Sequence, residues 1–295
     1  MAAASRFEMG WLMDSAEYKQ WRKTKLGNYP RSVEELLVDI DGLASLSDVQ
    51  KASIIQKCLR YNMAVYRCRD GFVDRQAVRS FAANFGLQRV DHHLCANDDG
   101  VSELSVASGG SRAEYVPYSN RSLSWHTDGY YNRASHRVRA VVLHCAVNAA
   151  TGGENALLDP DIAYIRLRDE DPRFITALEH PRCMTIPANI GDEGEIRPEV
   201  TGPVFSCEDN GAIHMRYSAR KRNIRWRDDE LTRDARDFLG ELLSAGNGAV
   251  FHYRLQAGEG LISNNVLHNR TAFTDSAGQQ RLLYRARFFD RIKAG

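Results

Sequence analysis

Paired cysteines are missing from this sequence. Six cysteines, at positions 58, 68, 95, 145, 183 and 207, are spread over 295 residues with no Cys-x-x-Cys pair. That spacing excludes a zinc knuckle or a disulfide framework and reads as reduced thiols. An excess of one charge is missing too: 39 Lys plus Arg stand against 38 Asp plus Glu, a net charge of +1. A chain so balanced has no broad attraction for nucleic acid or an anionic membrane. No apolar run approaches membrane-spanning length, and the first residues, MAAASRFEMGWLMDS, lack the uninterrupted apolar core of a signal peptide. A cytoplasmic location is expected, with a small-molecule partner rather than nucleic acid or membrane; homo-oligomer formation remains open. No repeat, low-complexity tract or Pro/Ser linker divides the chain. One domain over 1–295 is therefore expected, with a helical N-terminal extension over 1–60 and a core from about 60 to 290.

What is present is patterning. Asp74 can cap a helix whose Val78, Phe81, Ala82 and Phe85 recur at helical spacing, and Gly86 supplies its stop. A helix near 48–60 precedes the strand-like Met63-Ala64-Val65-Tyr66, and VRAVVLHCAV at 138–147 reads as a buried strand. Asp159-Pro160 opens a helix. Leu231, Ala235, Phe238, Leu239, Leu242 and Leu243 form another amphipathic face, ended near Gly246. Strands return at Ala249 to Tyr253, around Leu261, and at Arg281 to Phe289. The polar, glycine-bearing stretches Cys95 to Ser124 and Pro187 to Pro203 read as long loops. The sum is an α+β fold built on a β-barrel or sandwich.

Chemistry concentrates in Ser124-Trp125-His126-Thr127-Asp128-Gly129-Tyr130-Tyr131. If His126 to Asp128 is extended, the two-residue period puts imidazole and carboxylate on one face. One more histidine would complete a 2-His-1-carboxylate triad with open coordination positions. His268, in Asn264-Asn265-Val266-Leu267-His268-Asn269-Arg270 just after the strand-like Gly260-Leu261-Ile262, has the best setting. His-x-Asp alone is common by chance, so the case needs more. The other cluster, Asp91-His92-His93-Leu94-Cys95, has one thiol and no second group at zinc spacing. In Arg281 to Phe289, alternation sends Leu282, Tyr284, Ala286 and Phe288 to an apolar face and Arg281, Leu283, Arg285 and Arg287 to the other. Arg287 reads as solvated. Arg281 and Arg285 are either solvated too or point into a barrel mouth, where a guanidinium can grip a carboxylate bidentately.

Across residues 60 to 290 the chain resembles the Fe(II)- and 2-oxoglutarate-dependent dioxygenases of the taurine dioxygenase and γ-butyrobetaine hydroxylase group. The resemblance rests on His126-Thr127-Asp128, Gly152-Gly153-Glu154-Asn155, Asn265 to Arg270, and Arg281 with Arg285, in the family's order and approximate spacing. It implies a double-stranded β-helix, or jelly roll, with flanking helices. It implies Fe(2+) on His126, Asp128 and His268, and a 2-oxoglutarate cosubstrate chelating that iron with one position left for O2. Arg281 would clamp the distal carboxylate, Arg285 would sit nearer the C1 carboxylate or the substrate, and Asn155 would donate to the cosubstrate where relatives have Thr or Ser. Asp128 fills the place a halogenating relative needs for halide, so hydroxylation with release of succinate and CO2 is the implied outcome. A cupin-like metalloenzyme without an oxo-acid, or a non-catalytic binding protein on the same barrel, are the alternatives; the Arg281 and Arg285 pair opposes the first.

For the substrate, Tyr130 and Tyr131 either pack or offer faces to a cation. The basic run from His214 to Arg227 reads first as a solvated face, with substrate anchoring through Arg216, Tyr217 or Arg220 as the functional alternative. A small polar or zwitterionic metabolite suits both features. The first 60 residues lack the cysteine-rich zinc module of animal γ-butyrobetaine hydroxylases, so their substrate is not implied. Trp125 is expected to pack, and His144 to be a satisfied core histidine.

Overall fold

A computed structural model describes residues 15–69, 73–93, 96–191, 194–220, 222–245 and 248–293. Its larger sheet has six strands, β1 (Leu37–Ile40), β2 (Met63–Cys68), β3 (Val101–Leu104), β5 (Ala140–Val147), β8 (Glu259–Ser263) and β10 (Leu282–Phe288), in the order β1-β2-β8-β5-β10-β3. The smaller has four, β4 (Leu123–His126), β6 (Asn155–Leu158), β7 (Phe251–Tyr253) and β9 (Leu267–Arg270), in the order β7-β6-β9-β4. Within these two sheets, β1 and β2 pair parallel and the other neighbours antiparallel. Among the described residues six α-helices accompany them: α1 (Ala16–Gly27), α2 (Asp48–Tyr61), α3 (Arg75–Ala83), α4 (Pro160–Glu170), α5 (Pro172–Leu178) and α6 (Glu230–Ala245). Among the described residues no helix is long and apolar enough to cross a membrane.

Most local expectations hold. The Asp74 carboxylate accepts from Ala77 N at 2.7 Å to start α3, and Asp159 accepts from Asp161 N at 2.9 Å with Pro160 opening α4. On the α6 face Ala235, Leu239, Leu242 and Leu243 are buried and Leu231 and Phe238 half-buried, while Gly246 lies outside the described residues. Two expectations need correction. The 1–60 portion also carries β1, whose Val38 and Ile40 are buried against the helices, so it adds an edge strand to the large sheet. The two long loops are partly regular as well: the first holds β3 and two 3-10 turns, the second a hairpin (Asn189–Gly191 with Gly194–Arg197) and a strand, Val200–Gly202, paired with Met184–Ile186. Few large apolar side chains mark these elements, which is why composition hid them.

The core has three parts. Helices α2 and α3 cover one face of the large sheet with Ile54, Val78, Phe81 and Phe85 against Ala140, Val142, Ala286 and Phe288. Helices α4, α5 and α6 gather around Leu158 and Leu267 of the small sheet. Between the sheets Leu143, Cys145, Leu157, Leu261 and Leu283 pack together. On β10, residues 283, 285 and 287 therefore share the face turned to the small sheet, where Leu283 lies in this inner core.

His144 is a core histidine, 1% exposed and 3.2 Å from the Tyr66 hydroxyl, and burial pushes its pKa down to about 4. Buried His214 is pushed down to about 3 by burial and then by Arg137 and Arg139. Both titrate near 6.5 when unfolded, so protons favour the unfolded chain. Their stabilising effect is complete above pH 6.5 and is lost as pH falls towards the folded values. Two such groups remove roughly 3 kcal/mol per pH unit. The melting temperature of the metal-free protein is expected to fall steeply from pH 6.5 to 5; an unchanged value across that range would contradict the burial described.

Candidate metal centre

His126 and His268 meet because β4 and β9 are hydrogen-bonded neighbours in which the two residues are direct partners. Opposed side chains on an antiparallel pair start about 5 Å apart, and here the ring centroids are 4.2 Å apart. Each ring is held in the same way. His126 Nδ1 lies 2.9 Å from the carbonyl of Ser124, and His268 Nδ1 lies 2.9 Å from that of Val266. Donation from Nδ1 places the proton there and leaves Nε2 with a lone pair. Burial, with His268 beside it, pushes His126 down to about 3, so its imidazole is neutral.

Asp128 follows the end of β4. Its Oδ1 lies 3.9 Å from His126 Nε2, accepts from Arg285 Nη1 at 3.2 Å, and sits 3.9 Å from Arg287 Nη1. Burial alone would raise the carboxyl pKa, but Arg285 and Arg287 outweigh it and hold the group below the usual carboxylate range. Its Oδ2 is buried with no hydrogen-bond partner among the described residues, a costly state for a carboxylate oxygen. Candidate ligand atoms of His126, Asp128 and His268 all lie within 4.8 Å of one another. Two imidazoles and an ionised carboxylate with one unmatched oxygen form a donor set suited to a divalent cation such as Fe(II).

Asn265 aligns this set, a role that no spacing rule assigned to it. Its Oδ1 accepts from Asp128 N at 2.8 Å while Nδ2 donates to the carbonyls of Asp128 at 2.9 Å and Val138 at 2.6 Å. It does so from a left-handed backbone, φ 54°, that asparagine tolerates better than most residues.

Arg281 is 4% exposed, lies 4.8 Å from the Phe273 ring, and among the described residues has no carboxylate within ion-pair distance of its guanidinium. Burial lowers its pKa. A buried, unmatched guanidinium is the mirror image of the unmatched Asp128 oxygen and calls for an anion. Arg270 shares Phe273 but donates to the carbonyls of Ser119 and Arg121, so it fastens the segment that leads into β4. The turn before β6 requires glycine: at Gly152, φ 69°, a Cβ would come within 2.1 Å of the Ala272 carbonyl oxygen.

Other expectations change. Arg287 is 2% exposed, not solvated; it reaches Tyr131 Oη at 2.8 Å and Asp91 Oδ2 at 2.5 Å. Both faces of β10 are covered, one by the small sheet and one by helices, so no solvated face exists there. Asn155 is buried; one Nδ2 hydrogen goes to the carbonyl of Asn269 at 2.9 Å, the second is left for another acceptor, and Oδ1 has no donor among the described residues. Arg216 is fully engaged: Nε on Tyr130 O, Nη1 on Met184 O and Gly202 O, Nη2 on Val200 O. It braces the chain instead of presenting a free anion grip. Tyr217 packs in the helix-side core beside Trp226, its backbone N accepted by Thr127 Oγ1 at 3.1 Å. Tyr130 stacks edge-on to His126 at 6.3 Å and to Tyr131 at 5.2 Å. Arg220 is exposed. Trp125 packs on the helix-side core as expected. In the 91–95 cluster Asp91 pairs with Arg287 and His93 with Ser102 Oγ at 3.0 Å, while Leu94 and Cys95 lie outside the described residues.

The model of the taurine catabolism dioxygenase TauD, TfdA family matches residues 24–287, and the chain belongs to that family. A curated relative, uridine-5'-phosphate dioxygenase from Amycolatopsis sp, is 28% identical over 176 residues; the match covers 58% of this chain and 62% of the relative, so it spans less than two thirds of that protein. Among solved structures, an asparagine oxygenase in complex with Fe(II), 2S,3S-3-hydroxyasparagine and succinate superposes with a TM-score of 0.58 at 18% identity, over 83% of this chain and 81% of that one. A non-heme iron oxygenase, OrfP, in complex with Fe, succinate and (3R,4R)-dihydroxy-L-Arg gives 0.61 at 17% identity, over 83% and 82%. A taurine dioxygenase from Burkholderia xenovorans gives 0.58 at 18% identity, over 88% of each chain. At these identities the likeness is one of fold.

Proposed function

We propose that this protein is a non-haem Fe(II)- and 2-oxoglutarate-dependent dioxygenase that hydroxylates a small polar metabolite. The observation that carries the reading is a pair of complementary groups: three ligand atoms within 4.8 Å with one carboxylate oxygen unmatched, and Arg281 buried with no ion pair among the described residues. His126, Asp128 and His268 would hold the metal, and Arg281 the distal carboxylate of the oxo-acid. Bound together, iron and 2-oxoglutarate would supply the oxidising chemistry, with O2 consumed and succinate and CO2 released. The chain's own groups do the rest. Ser124 O and Val266 O fix both histidine tautomers, Arg285 orients Oδ1 of Asp128, and Asn265 aligns the Asp128 backbone. The inner core around Leu143, Leu157 and Leu283 keeps water from the space between the sheets.

On this reading the two sheets are the halves of a double-stranded β-helix, and residues 1–295 form one dioxygenase domain. The relatives are named for a nucleotide, asparagine and arginine derivatives, which supports a small, charged metabolite as substrate. A cupin-like enzyme without an oxo-acid is disfavoured because it leaves Arg281 without a purpose that offsets its burial. Anaerobic addition of Fe(II) and then 2-oxoglutarate is expected to produce the weak visible charge-transfer band of an iron–oxo-acid chelate. No band at saturating concentrations of both would remove this reading.

A further inference from the structure

The mouth of the site carries more positive charge than iron and 2-oxoglutarate would use. Arg285 is matched by Asp128, Arg287 by Asp91, and Arg281 by the distal carboxylate of the proposed cosubstrate. Arg112, Arg197 and Arg220 remain, and among the described residues none has a carboxylate within ion-pair distance. Two of them are tied to the metal centre by a short path. The Arg197 guanidinium lies 5.6 Å from the Tyr131 ring, Tyr131 is 5.2 Å from Tyr130, and Tyr130 is 6.3 Å from His126. Arg197 is fixed there by Nη bonds to Pro198 O at 3.0 Å and Pro187 O at 2.7 Å. Arg220 arrives from the other side: Ser218 is bridged to His126 along the free edge of β4, and Arg220 stands two residues further on. The Arg220 backbone N donates to Ser218 Oγ at 3.5 Å, which keeps Arg220 at this edge. Tyr131 meanwhile has guanidiniums of Arg197 and Arg287 at its ring, which leaves it poorly placed to hold a substrate ammonium group.

We propose that the substrate carries a phosphate monoester, held at the mouth between Arg197 and Arg220 beside Tyr130 and Tyr131, with the carbon to be oxidised lying inward. A phosphate monoester brings up to two negative charges and three strong acceptor oxygens, where a carboxylate brings one charge and two. Two guanidiniums without a carboxylate partner, one over the Tyr131 ring and one at the edge of β4, suit the former. This rests on the dioxygenase reading only for the position of the iron.

The test is calorimetric titration of the protein loaded anaerobically with Fe(II) and 2-oxoglutarate, using uridine 5′-phosphate and ribose 5-phosphate against uridine and ribose, with inorganic phosphate as competitor. Each phosphate ester is expected to bind at least about tenfold more tightly than its alcohol, to be displaced by inorganic phosphate, and to weaken by about tenfold or more in Arg197→Gln and in Arg220→Gln, the size of one charge-assisted contact. Esters and alcohols binding alike, no binding by either ester, or esters binding equally to wild type and the double variant would overturn the proposal. Preferential binding of sulfonate or carboxylate analogues, taurine and succinate semialdehyde, would overturn it too. The chelate band, read in the same samples, separates the two failures. If it persists while phosphate selectivity is absent, only this inference falls; if it never forms, the dioxygenase reading falls instead.

Discussion

His126→Ala is expected to yield a folded protein that takes up no stoichiometric Fe(II) and releases no succinate. The imidazole is one of three candidate ligands and sits directly opposite another, so its loss opens the centre on the side of β4. Removing a partner one shell further out already costs ten- to a hundredfold in metal affinity or activity, and loss of a ligand should exceed about a hundredfold. Iron content after anaerobic loading and desalting measures it without relying on turnover. A variant that still binds one iron per chain would place the metal elsewhere. Folding should survive, because among the described residues the ring's one hydrogen bond is to a backbone carbonyl two residues away.

Arg281→Ala has the second large effect, in two directions at once. The 2-oxoglutarate concentration for half-maximal rate is expected to rise by about ten- to a hundredfold, from the loss of a charge-assisted contact of roughly 1.5 to 3 kcal/mol. The metal-free protein should melt no lower than wild type, since the change removes a buried cation that makes no ion pair among the described residues, while Asp275 keeps its bond to the backbone N. An unchanged cosubstrate requirement would move the clamp to another residue. A large fall in melting temperature would mean that the guanidinium is matched within the fold.

The candidate ligand set was legible because each part is local. His-x-Asp spans the end of one strand, and His268 lies within its own strand at a position set by the pairing of β4 with β9. The alternation of β10 was legible too, but not which of its faces would be enclosed. That depends on helices more than 200 residues earlier in the chain covering Ala286 and Phe288, and it is why Arg287 read as solvated while its partner Asp91 waited 196 residues away. Arg216 was illegible for a different reason. Its partners are four backbone carbonyls from three separate segments, and carbonyls leave no mark in a sequence. The hairpin carrying Arg197 lacked an apolar alternation that would have betrayed it. The direction of the Asn155 amide follows from Asn269, a contact 114 residues away that no spacing rule anticipates.

Asn265 joins the two arms of the centre across 137 residues by gripping both the N–H and the carbonyl of Asp128. Until the C-terminal strands dock, Asp128 has no fixed direction and the cation has no complete cage. Iron uptake must then come at the close of folding, and a chain truncated before residue 265 should be blind to the metal however well its earlier strands assemble.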